Sequence, residues 1–215
     1  VMDSIYNKEI PNPTNSNNYK IVKLAEITEK ITDGSHNPPT KQKEGKLMLS
    51  AINIKNDFLN KDSNVRFIDE ESYAKEVKRS GVKKDDVLLT AVGTIGRTLV
   101  VNDFTDFVLQ RSVTLIRLKD PSISQYISYY LRTPFMQRFF LENAKGTAQK
   151  GVYLNTIKQI EVVLPEPEKI YEIIAKIDNV RKSLELNIKL LKDTRERIKV
   201  ERQSILKKAF EGKLI

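Results

Sequence analysis

Side chains able to do covalent or metal chemistry are sparse in this 215-residue chain. Cysteine is absent, which excludes disulfides, thiolate zinc sites and iron–sulfur clusters. His36 is the single histidine, so multi-histidine metal sites are excluded and one candidate for histidine proton transfer remains. Asn37-Pro38-Pro39-Thr40 has the outline of the Asn-Pro-Pro-aromatic loop with which amino-methyltransferases hold a flipped base. Thr40 cannot stack on a base, and no Gly-rich strand-to-helix loop for S-adenosylmethionine precedes it. Gly93-Thr94-Ile95-Gly96 is too short for a dinucleotide fingerprint, and no Gly-Lys-Ser/Thr follows it as a P-loop would require. Asp85, Asp86, Asp103 and Asp106 form no nuclease pattern and read as solvated turn residues. No catalytic residue, metal ligand set or cofactor is therefore assigned to this chain, and it is not expected to be an enzyme.

What remains is chemistry of contact. The chain carries 37 Lys+Arg against 28 Asp+Glu, a formal net charge of +9, which points to a polyanion such as nucleic acid. Asp33-Gly34-Ser35-His36-Asn37 is a dense turn signal followed by Lys41, Lys43 and Lys46. It reads either as a solvated loop or as a loop that enters a groove, with Ser35, His36 and Asn37 on base edges. Gln110-Arg111 interrupts a β-rich run with the two residue types best suited to bidentate contacts with adenine and guanine. Lys145, Gln149 and Lys150 sit in a basic, Gly-punctuated loop, 144–151, suited to phosphates or bases. Gly93 and Gly96 mark a hairpin turn needing positive φ, from which Thr94, Arg97 and Thr98 project toward a possible DNA contact.

These loops need a scaffold. Composition is that of an ordinary globular chain, 40% hydrophobic and 30% charged. Strand patterns run over Lys46–Ile54, Asp86–Val92, Thr98–Val101, Phe107–Leu118 and Ile160–Leu164. Helical spacing covers Asp69–Val77 and Ser124–Asn143. Strands mixed with helices and no βαβ rhythm predict an α+β fold with a curved, mainly antiparallel sheet. Residues 1–18, rich in Asn, Ser and Pro, are expected to be a disordered leader. No 18-residue apolar run predicts a membrane span, residues 1–18 have no signal-peptide core, and the default location is the cytoplasm.

The chain divides near Pro165–Pro167, after which no Gly or Pro occurs until Gly212. Ile170, Ile177, Leu184, Leu191, Ile198 and Ile205 fall seven apart and predict a long helix that packs lengthwise on another helix. From about residue 166 to 210 such a helix is roughly 65 Å long. The stripe is assigned to self-association. The resulting division is a leader (1–18), a globular domain (19–165) and a coiled-coil helix (166–215).

Several stretches resemble the specificity subunits of type I restriction–modification systems. They are LAEITEKITDGSHNPP (24–39), VKKDDVLLTAVGTIGRTLVV (82–101) and LQRSVTLIRL (109–118). AKGTAQKGVYLNTIKQIEVVLPEPE (144–168) and RERIKVERQSILKKAFEGKL (195–214) complete the set. The resemblance implies a target recognition domain that reads one half of a split DNA site, followed by a spacer helix. It implies docking of methyltransferase (modification) subunits, which supply S-adenosylmethionine chemistry, and a restriction subunit that drives cleavage with ATP. Such subunits carry two recognition domains and two helices; this chain carries one of each, so it is read either as a half-subunit that forms a homodimer through its helix or as one half of a longer protein. Two alternatives stand beside this one: the recognition portion of a fused restriction–methyltransferase, and a plain coiled-coil DNA binder. The residues leading into the helix, Pro165-Glu166-Pro167-Glu168, have the wrong charge for the latter.

Overall fold

The computed structural model describes residues 1–15, 19–147 and 149–212. In chain order the elements are α1 (Met2–Glu9), β1 (Lys20–Lys23), β2 (Thr28–Asp33), β3 (Lys46–Leu49), β4 (Ile54–Lys55), β5 (Phe58–Leu59) and β6 (Arg66–Ile68). There follow α2 (Glu70–Ser80), β7 (Val87–Thr90), β8 (Thr98–Val100), β9 (Phe107–Leu109), β10 (Val113–Leu118), α3 (Ser124–Leu131), α4 (Pro134–Asn143), α5 (Leu154–Lys158), β11 (Glu161–Leu164) and α6 (Pro167–Phe210). The fold is α+β, as expected, with mainly antiparallel sheets and a long C-terminal helix. Two compact units form, Val1–Ile174 and Ala175–Ile215. No helix among the described residues is long and apolar enough to cross a membrane.

In the first unit, the largest sheet has the order β2-β10-β7-β8 and is antiparallel throughout. A second sheet, β6-β3-β9, pairs β3 with β9 in parallel. Leu49, Leu88, Phe107, Leu109, Val113 and Leu115, from both sheets, share one core cluster. Each such side chain removed from water contributes about 1.5–3 kcal/mol. Helix α3 is held behind β11 by two tyrosine hydroxyls. Tyr126 donates to the Val163 carbonyl (2.7 Å) and Tyr130 to that of Glu161 (2.8 Å). Burial pushes both phenols above their ordinary range.

Local chemistry sets the helix ends. Asp69 caps α2, accepting from the Ser72 amide at 2.8 Å. The stretch expected as one helix over Ser124–Asn143 is two. Pro134 opens α4 and holds Thr133 extended, at φ −58° and ψ 147°, which ends the preceding turn.

Four further expectations change. Asp86 is not a solvated turn residue: its carboxylate, 1% exposed, takes Arg117 Nε (2.8 Å) and Nη2 (2.7 Å) and the Lys83 amide (2.7 Å). Those three donors offset its loss of water. Thr98 does not project from its turn but is buried, hydrogen-bonded to Ser128 and to the guanidinium of buried Arg132. The leader is not disordered over its described residues. Met2–Glu9 is helical and packs on α4, with Tyr6 and Ile10 buried and Tyr6 5.8 Å from the Tyr129 ring. Its polar composition concealed two apolar anchors; residues 16–18 lie outside the described ones.

The fourth concerns the heptad stripe. Ile170 belongs to the first unit and is buried there beside Ile173. In the second unit Ile177 is fully buried and Leu184 half-buried, while Leu191, Ile198 and Ile205 are 70%, 60% and 49% exposed. Ile170 is therefore already covered within the first unit and has no apolar surface left for a partner.

Replacing Tyr6 by Ala should cost about 3 kcal/mol in urea unfolding, the size of a large-to-small core change. A loss below about 0.5 kcal/mol, typical of an exposed site, would show that α1 is not docked.

Candidate nucleic-acid interface

Strands β9 and β10 are consecutive in the chain but lie in different sheets. The chain changes sheets at Gln110-Arg111-Ser112, a tight turn in which the Val113 amide donates to the Gln110 carbonyl (3.0 Å). Neighbours hold this turn by its backbone. The Gln110 amide donates to Leu49 (2.8 Å) and the Arg111 amide to Ser35 (2.9 Å). The Ser35 amide donates back to Leu109 (2.7 Å). Ser112 accepts from the Ala51 amide on its hydroxyl (3.0 Å) and from the Ala91 amide on its carbonyl (2.9 Å).

Around the turn opens a cleft of about 380 Å³. Ser35, His36, Thr94, Gln110, Arg111 and Gln149 line it, all of them singled out in the sequence as DNA contacts. Pro38, Ser50, Ala51, Ile52, Val92, Gly93 and Ser112 complete its walls. A recess of about 100 Å³ adjoins it, shares His36, Val92, Arg111 and Gln149, and adds Asp33 and Tyr153. His36 donates from Nε2 to Asp33 Oδ2 at 2.6 Å. Among the described residues, no hydrogen bond or ion pair occupies the side chains of Thr94, Gln110, Arg111 or Gln149.

Two glycine turns shape the wall that holds Thr94 and Gln149. Gly93 and Gly96 both adopt positive φ, 79° and 89°, as the hairpin spacing predicts. The 145–151 loop closes on itself through a reciprocal pair of backbone bonds between Lys145 and Gly151, both 2.9 Å. Gly151 lies so near the segment that follows β7 that a Cβ there would meet Val92 Cγ2 at 2.9 Å.

The other sequence candidates stand elsewhere. Lys41 and Lys43 line a separate open groove with Gln42, Val65 and Phe67. Asn37 uses its carbonyl to accept from Ser35 Oγ (3.2 Å) and does not line the cleft. Arg97, Lys145 and Lys150 line neither the cleft nor its recess. Sequence reasoning missed Ser50, Ile52, Ser112 and Tyr153. Only Ser112 carried a signal, its position directly after Gln110-Arg111.

A family model described as the type I restriction modification DNA specificity domain matches residues 16–192. The chain belongs to this family. Over 140 residues the specificity domain is 31% identical to the EcoBI type I restriction enzyme specificity subunit of Escherichia coli, covering 65% of this chain and 30% of that one. Over 204 residues it is 22% identical to the EcoKI specificity subunit of Escherichia coli strain K12, covering 91% and 43%. The fold is shared with the HsdS subunit from Thermoanaerobacter tengcongensis, at TM-score 0.66 and 18% identity, over 99% of this chain and 50% of that one. The specificity domain described here thus spans between 30% and 50% of the length of these relatives.

Proposed function

We propose that this chain is the DNA-reading portion of a type I specificity subunit, with base-pair edges facing the cleft around Gln110-Arg111-Ser112. One observation carries the reading: separate chain segments converge on one cleft, and Thr94, Gln110, Arg111 and Gln149 reach it with no side-chain hydrogen bond or ion pair among the described residues. Arg111 offers two parallel donors that match guanine O6 and N7, and Gln110 a donor and an acceptor that match adenine. The net charge of +9 favours a duplex of any sequence. Lys41, Lys43, Lys145, Lys150 and Arg97, off the cleft, serve the phosphates, with Asn37 at the rim.

The division of labour follows the family. Residues 19–165 read one half of a bipartite site, and the helix in 166–215 spaces the halves and docks modification subunits. Methyl transfer from S-adenosylmethionine belongs to those subunits and ATP-driven cleavage to the restriction subunit; this chain catalyses neither and holds no cofactor. The reading carries with it a cytoplasmic location alongside the DNA.

Gln110→Ala and Arg111→Ala should each weaken binding to the preferred duplex by about 1–3 kcal/mol and relax the preference at one base pair. Lys41→Ala and Lys43→Ala should weaken binding to every duplex alike and lower the salt slope by about one each. Fluorescence titrations at several salt concentrations separate the two classes. Unchanged binding in all four variants would remove the cleft and its lysines from the interface.

The exposed stripe of Leu191, Ile198 and Ile205 supports a homodimer in which two copies of the helix pack antiparallel and set the gap between half-sites. A two-fold axis then makes the site an interrupted palindrome. Sedimentation at micromolar concentration should show a dimer. Leu191→Asp with Ile198→Asp should give a folded monomer, because two buried unpaired carboxylates cost several kcal/mol. A wild-type monomer would assign the stripe to another polypeptide or to a second half of a longer chain.

A further inference from the structure

Gly34 follows β2 and reads in the sequence as a turn glycine, yet its φ is not in the positive range that requires glycine. Its constraint is one of approach. A Cβ at position 34 would overlap the backbone carbonyls of Leu109 and Gln110, closer than the 3.0 Å below which real Cβ atoms essentially never come. The opposing atoms are backbone, so no rotamer change relieves the clash. The Gly34 amide meanwhile donates to the Val113 carbonyl at 3.2 Å, so Gly34 touches the chain on both sides of the reading turn. Across the turn, the Ser112 hydroxyl accepts from the Ala51 amide and fixes the opposite wall. The backbone donors of Gln110 and Arg111 are both spent on Leu49 and Ser35, while no hydrogen bond or ion pair takes their side chains among the described residues.

We infer that Gly34 and Ser112 are positioning residues that preset the Gln110–Ser112 turn, so that the turn presents its side chains to a base pair without rearranging. The inference rests on the proposed reading of the cleft and adds the residues that aim it. A preset turn avoids the ordering cost that a flexible loop loses on binding. That gain exists only where the side chains meet a base in register. A contact between a lysine and a phosphate tolerates displacement of the turn, whereas a bidentate contact to a base edge does not. Substitution at position 34 therefore separates choice of sequence from affinity for DNA.

The test uses the full chain and two probes. One is the duplex that wild-type protein enriches from a randomised pool; the other is an unrelated duplex of equal length. Gly34→Ala should weaken binding to the enriched duplex by about tenfold to a hundredfold, the size of losing a base contact, and leave the unrelated duplex within about twofold. Its salt slope should be unchanged. Ser112→Ala should shift the same ratio in the same direction, and Ser112→Thr, which keeps the hydroxyl, should restore it. Without DNA, amide exchange at Ala51 should be faster in Ser112→Ala than in wild type, a change that loss of a direct DNA contact would not produce. If Gly34→Ala does not fold, the Ser112 pair and the Ala51 exchange decide. Equal losses on both duplexes, or wild-type discrimination in folded variants, would overturn the inference. A wild-type chain that enriches no sequence would overturn the proposed function itself, and the inference with it.

Discussion

Everything around the cleft depends on one piece of chain serving two sheets. From Phe107 to Leu109 it pairs in parallel with β3, and from Val113 to Leu118 it runs antiparallel between β2 and β7. The three residues between belong to neither strand. Their backbone groups pair instead with those of Leu49, Ser35, Ala91 and Val113, and buried backbone left unpaired would cost about 1–3 kcal/mol per group. The two sheets thereby fix a turn in which only Ser112 lends its side chain to a hydrogen bond among the described residues.

The rigid side of the molecule is built from ionic groups as well as apolar ones. Arg117, on β10, grips the buried Asp86 carboxylate and also the Gly81 carbonyl at 2.9 Å. Arg132 spans Thr98 on β8, with its carbonyl oxygen at 2.8 Å, and Asp57 at 2.8 Å. Buried pairs of this kind add little net stability over apolar packing, but removing one partner leaves a charge without water. They pin the strands that flank the turn from behind, while the cationic side chains proposed to meet DNA stay in solvent.

Much of this was legible in the residues. Helix periodicity found α2 and α6, and the Gly93–Gly96 spacing found a turn with two left-handed glycines. The residue types at Ser35, His36, Thr94, Gln110, Arg111 and Gln149 marked four separate loops, which the fold brings to one cleft. What escaped was non-local. The run Phe107–Leu118 reads as a single strand, because its change of sheet is dictated by partners sixty or more residues away in sequence at Ser35 and Leu49. Asp86 looked solvated because Arg117 is remote in sequence. Tyr6 and Ile10 were lost in a polar segment, and a perfect seven-residue spacing could not say that Ile170 is covered within the globular unit.

The cleft is assembled from segments near residues 35, 51, 93, 111 and 149. No two of these are neighbours in sequence, and contacts of such separation form late, after the entropy of closing long loops has been met. The last wall closes when Val152 donates to the Ala91 carbonyl (2.8 Å) and the Gly93 amide to Lys150 (3.2 Å). No shorter stretch of the chain contains the cleft. A nascent polypeptide gains its positive charge gradually, but it acquires the complete cleft only once residue 152 has joined the fold. Under the proposed reading, a loosened chain would keep its attraction to any duplex and lose its ability to choose among them.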